Sequence, residues 1–200
     1  QIPPRPGAFG YNPRQTNLGD WYPFIPPYDA ALGWLAYRPG LVGEHLVYEA
    51  ADFEVEFTVD NASPAVVVAA SAPAQQEGDT YRYELFSARN FALSLSPEYV
   101  TFSQTAQTDL GPVEVASYAF PETRAAGEAA LETTRAALEF FSETFGPYPH
   151  RSLTIVEAAF PDGMEFDGLY FLSQDWYWAY LGDPASYLTL LAAHEPAHQW

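Results

Sequence analysis

In "ADFEVEFTVD" the residues Phe53, Val55, Phe57 and Val59 alternate with Asp52, Glu54, Glu56 and Thr58. This period of two sets one face of a strand on a core and the other in water. "AVVVAAS" (65–71), "TYRYELF" (80–86), "FALSLS" (91–96) and "VEVASYAF" (113–120) follow, separated by "DNASP", "QQEGD" and "SARN". Those separators are rich in the residues that turns favour. Short strands with polar turns predict an antiparallel β domain, a saddle or sandwich, over residues 1–118.

The period then changes. "PETRAAGEAALETTRAALEFFSETFG" opens on a proline and an acid, carries Leu131, Leu138, Phe141 and Phe145 on one helical face, and closes at Gly146 before Pro147. That is a helix with its start and stop signals in place, and it sets a domain boundary near 118–121. "SLTIVEAAF" predicts a short apolar strand, "PDGMEFDG" a loop, and "LYFLS" a second strand. A last helix is expected from Pro184 to Trp200, with Asp183 as its N-cap. The fold class is therefore α+β, with domains at 1–118 and 119–200.

Residues 1–40 have neither period. "QIPPRPG", "YNPR", "YPFIPPYD" and "YRPG" are proline-rich, and proline forbids regular helix, so an extended arm is expected. Trp21, Tyr22, Phe24 and Trp34 would anchor it to the body.

Composition narrows the function. With 48% hydrophobic, 16% aromatic and 17% charged residues, the 200-residue chain has the makeup of a packed globular protein. All eight basic side chains are arginines, set against 26 acids for a net charge of -18. Such a surface repels nucleic acid and anionic lipid and attracts cations, among them the terminal amine of a peptide. There is no cysteine, so a metal must be held by His, Asp or Glu. No apolar run reaches the length of a membrane span; "DWYWAYLGDP" is short and interrupted. Gln1 in first position and the lack of cysteine point to an extracytoplasmic or secreted protein, or to part of a longer one.

The chemistry concentrates in "LLAAHEPAHQW" (190–200). Residues i and i+4 share a helix face, so His194 and His198 can offer two imidazole nitrogens to one ion, with Glu195 beside them as a base. Pro196 interrupts the motif. It cannot donate to the carbonyl of Ala192, so a kink or loosened turn is expected between the histidines, with their pairing preserved. Zinc sites take at least three protein ligands, for which Glu157 and Glu165 are the upstream carboxylates to consider. His45 and His150 have no partner at ligand spacing and are expected to be loop or surface residues.

Several segments, in order, resemble the zinc aminopeptidases typified by aminopeptidase N and the leukotriene hydrolase. "HEPAHQW" resembles the zinc-helix signature of that family. "DGMEFDGLYF" resembles its substrate-binding loop, which normally reads Gly-x-Met-Glu-Asn. "FFSETFGPYP" resembles the helix end and turn that enter a thermolysin-like catalytic domain, while "ADFEVEFTV" and "ARNFALSLSPEY" look like its N-terminal saddle.

The resemblance implies a zinc cofactor held by His194 and His198, with Glu195 as general base. It also implies a peptide-binding strip of Gly163, Met164 and Glu165, in which Glu165 binds the free α-amine. Asp162 stands where the family loop has glycine and Phe166 where it has asparagine. The third zinc ligand, a glutamate, and the tyrosine that stabilises the oxyanion would fall after Trp200, so these residues alone are expected to show little peptidase activity. Two other readings stand beside this one: a noncatalytic relative that binds peptides or a partner, and a β-rich interaction module in which "HEPAH" is accidental.

Overall fold

The computed structural model describes residues 9–36, 47–60 and 64–200. "QIPPRPG", "YRPG" and His45 lie outside the described residues. Among its described residues the proline-rich arm holds only short strands, β1 (Gly10–Tyr11), β2 (Thr16–Leu18), β3 (Tyr28–Asp29) and β4 (Gly33–Trp34). Longer strands follow: β5 (Ala51–Thr58), β6 (Val67–Ala70), β7 (Gln75–Glu77), β8 (Thr80–Ala88), β9 (Leu93–Ser96), β10 (Val100–Thr108) and β11 (Gly111–Ala119). After helix α1 (Arg124–Phe145) come β12 (Ser152–Ala158), β13 (Gly163–Phe166), β14 (Leu169–Ser173), α2 (Gln174–Ala179) and α3 (Tyr187–His194). The chain is α+β, as its periodicity predicts.

The described residues form four sheets: β1-β2-β9-β6, β5-β8-β7, the pair β3-β4, and a mixed five-stranded sheet ordered β10-β11-β12-β14-β13. In the last, β11, β12 and β14 run parallel, and β10 and β13 pair antiparallel at the edges. This sheet runs through residue 118, because β10 and β11 join the strands that follow α1.

α1 is the crossover between β11 and β12, and it repeats small or apolar residues every four positions: Ala126, Ala130, Thr134 and Leu138, all buried. That stripe packs on Val113, Val115, Leu153 and Ile155 of the sheet, together with Leu188 and Leu191 of α3. Leu131 and Leu138 lie in this core, whereas Phe145 is 64% exposed at the helix end. The opposite face of the sheet carries Val156, Phe166 and Phe171 and packs against Ala69 of β6. β12 is thus covered on both sides, and all seven of its residues are buried, as a central parallel strand requires.

Three expectations are corrected. "QQEGD" is not only a turn: Gln75–Glu77 pairs with β8 as an edge strand. "PDGMEFDG" is not a loop throughout, because Gly163–Phe166 pairs antiparallel with β14. The last helix starts later and ends earlier than its signals suggest. Asp183 accepts from the amide of Ala185 in a preceding turn, and Ser186 is the N-cap, accepting from Thr189. The α-helix stops at His194, and a 3-10 turn carries Glu195–Gln199.

Of the four aromatics expected to anchor the arm, two reach the body, and Phe9 joins them by packing on Phe160, Phe166 and Phe171. Trp21 donates to the carbonyl of Phe91, and the ring of Tyr22 packs against Phe53. Trp34 is 61% exposed and meets only Tyr28 of its own hairpin among the ring contacts found. Among the described residues no helix is long and apolar enough to cross a membrane.

Candidate metal centre

Pro196 decides the shape of the centre. Lacking an amide hydrogen, it cannot extend α3, and it sits instead in the opening positions of the 3-10 turn, where that hydrogen is not needed. The carbonyl of Ala192, which loses its helical donor, is not abandoned. The hydroxyls of Thr134 on α1 and Tyr170 on β14 stand 3.3 and 3.5 Å from it, in contact with each other; Thr134 donates its proton to the carbonyl of Ala130 at 2.7 Å, which leaves Tyr170 to face Ala192. Burial holds the Tyr170 hydroxyl well above the usual phenol range, so it remains a donor.

Across this break the two imidazoles face each other. The Nε2 atoms of His194 and His198 are 3.2 Å apart, with ring planes inclined at 75°. Two nitrogens bound tetrahedrally to one zinc at about 2.0–2.1 Å stand about 3.3 Å apart. Two imidazole lone pairs cannot rest at this distance unless a proton or a cation lies between them.

Carboxylates complete the surroundings. Glu165, on β13, places Oε1 3.0 Å from Nδ1 of His198, with 16% of its side chain exposed. Glu195 is buried, at 4% exposure, and its carboxylate lies directly over Gly163: a Cβ added there would meet Oε1 at 2.1 Å. One ligand atom from each of Glu165, Glu195 and His198 falls within 4.8 Å of the others. Nitrogen and carboxylate oxygen are donors that zinc accepts, so the residues present suit that ion. Met164, between Gly163 and Glu165, turns to the other side and packs against the apolar cluster of Phe166 and Phe171.

One feature was not singled out from the sequence. Gln199 donates from Nε2 to the carbonyl of Phe166 and accepts at Oε1 from the amide of Gly168, each at 3.0 Å. A single carboxamide therefore ties the turn bearing His198 to the β13–β14 hairpin bearing Glu165. The signal available was a glutamine directly after the second histidine. Asp162, which stands where the family loop has glycine, adopts φ 67°, the left-handed region that glycine favours and aspartate tolerates. Its carboxylate accepts from the hydroxyl of Tyr187, and the nearby negative charge raises the pKa of that tyrosine. The backbone at 162 thus has the conformation a glycine would take, although the residue is not glycine.

One sequence candidate, Glu157, lies elsewhere, as does His150. Glu157 is fully buried at the start of α1, where Oε2 accepts from the amide of Phe120 and the hydroxyl of Thr123. Burial drives its carboxyl up to about 7, against the hydrogen bonds that pull it down. It is not in the group around His198. His150 is half-buried and meets the ring of Tyr148 edge-on, and burial lowers its pKa. No protein-family model matches the chain, and no curated protein is significantly similar to it.

Proposed function

We propose that the chain carries the metal-binding part of a zinc-dependent aminopeptidase, in which His194 and His198 hold the ion. The observation that carries this is the 3.2 Å approach of the two Nε2 atoms beside a buried acid, Glu195. A zinc ion held there supplies Lewis acidity toward a peptide carbonyl and makes a water more acidic. Glu195, next to the pair and given room by the missing side chain of Gly163, would take a proton and return it to a leaving amine. Glu165 supplies a partly exposed negative charge at the rim, suited to a free α-amine, and the net charge of -18 favours the approach of a cationic peptide end. The family resemblance of "HEPAHQW" and "DGMEF" supports the same assignment.

Zinc content and affinity of the chain and of His194→Ala and His198→Ala test the metal centre. Each variant is expected to lose most of the bound zinc, and unchanged content in both would end the proposal. Calorimetric binding of a short peptide with a free α-amine, compared with its N-acetylated form, tests the amine site. Equal affinity for the two would remove Glu165 from amine recognition.

A further inference from the structure

We infer that the outer edge of β10 is a self-association surface, on which a second copy of this chain adds its own β10 antiparallel and joins the two five-stranded sheets into one. β10 ends the strand order of its sheet and, among the described residues, has a strand partner on one side only, β11. A strand edge is a row of unpaired amides and carbonyls, and folded chains usually blunt it by shortness, charge or a bulge. Most edges of this fold are blunted in those ways. β1 has two residues, β7 three, and β6 and β13 four each. β5 has eight, but it carries Asp52, Glu54 and Glu56, and its register shifts between Ala51 and Phe53. β10 has none of these defences. Its nine residues, Val100–Thr108, pair with β11 in unbroken register and include no charge, no proline and no glycine, in a chain of net charge -18.

The pattern within β10 selects a second copy as the occupant. The amide of Gln107 donates to Oε1 of Glu139 on α1 rather than to β11, so the amides of the alternate residues Thr101, Ser103 and Thr105 also point away from β11. All three residues are exposed. With a two-fold axis at Gln104, antiparallel pairing sets Ser103 of one copy against Thr105 of the other, and the two exchange amide-to-carbonyl hydrogen bonds. Their hydroxyl side chains pair well across strands. On the face that packs against α1, Phe102 of one copy meets Ala106 of the other, a large residue against a small one. Pairing β5 with itself would instead oppose its acids. Glu139, held by Arg135 at 2.7 Å, keeps the amide of Gln107 near the end of the strand, so the central residues carry the contact. A strand with no charge of its own fits its two-fold image better than it fits a charged partner.

Sedimentation velocity on the whole 200-residue chain, from about 10 µM to about 1 mM, tests this without metal or substrate. An edge contact is small, so the expected dimer is weak. It should tighten as salt rises from about 50 mM to about 500 mM, which screens the repulsion between two acidic bodies. Thr105→Pro removes an outward amide and leaves the ladder to β11 whole, because that amide is not used there. Ser103→Glu brings like charges together across the axis. Each variant is expected to weaken the dimer about tenfold or more with circular dichroism unchanged, and Ser103→Glu, at an exposed position, serves if Thr105→Pro does not fold. Amide hydrogen exchange at Thr101, Ser103 and Thr105 should slow as concentration rises. A monomer at every concentration in both salts overturns the inference. So does a dimer equally tight in both variants, or one whose formation leaves exchange at these amides unchanged, because the contact would then lie on another surface.

Discussion

Glu157 makes the acid-base behaviour of the fold measurable apart from any catalytic role. Its carboxyl lies in a fully buried place where Oε2 has two donors and Oε1 has no hydrogen-bond partner among the described residues. Burial raises the pKa from 4.5 to about 7, so between those values the folded chain keeps a proton that the unfolded chain has released. Stability therefore falls as pH rises through this window and levels off above it. Two and a half pH units at about 1.4 kcal/mol each amount to about 3 kcal/mol. Glu157→Gln removes the titration while keeping the size and one oxygen for Phe120 and Thr123. Urea unfolding of both chains at pH 4.5, 5.5, 6.5 and 7.5 is expected to show the variant gaining on the wild type by about 3 kcal/mol across the series. Taking the difference cancels the other 25 acids, which the two chains share. A difference constant with pH, or one that shrinks toward pH 7.5, would refute the reasoning, because the carboxylate would then be as well solvated inside as outside.

Other expectations follow from the centre and the core. Gly163→Ala sets a methyl group 2.1 Å from Oε1 of Glu195, so the carboxylate must move by more than 1 Å; overpacking of this kind should cost about 1–3 kcal/mol in urea unfolding. Gln199→Ala removes both ties to the hairpin and should cost about 1–3 kcal/mol, with faster amide hydrogen exchange at Gly168 as the direct readout. Asp162→Gly relieves a positive φ and should leave thermal stability equal or higher, whereas Asp162→Ala should lower it by about 1–2 kcal/mol. Leu138→Ala empties a fully buried site under α1 and should cost about 2–5 kcal/mol in chemical denaturation.

The strands read from the period of two, the span of α1 and the spacing of His194 and His198 were legible because each depends on neighbours within a few residues. β10 was not: "VTFSQTAQT" is mostly polar, and its inner face is completed by Phe102 against Gly127 of α1, a contact between distant segments. β13 was hidden by the Pro-Asp-Gly and Asp-Gly that flank it, which are turn residues on either side of a short edge strand. A charge in the apolar run "SLTIVEA" was visible as an anomaly, but that Glu157 meets Phe120 and Thr123 depends on the crossover through α1. The bridge made by Gln199 and the approach of the Tyr170 hydroxyl to the Ala192 carbonyl depend likewise on tertiary structure.

The break at Pro196 divides the two histidines between different bodies. His194 ends a helix packed on α1, and His198 rides on a turn bound to the β13–β14 hairpin. An ion shared by them would be a cross-link between helix layer and sheet edge rather than a passenger on one helix. Its binding free energy would then appear as mechanical coupling of the two bodies and as added resistance to unfolding. In an unbroken helix the same two ligands would stiffen only a single turn.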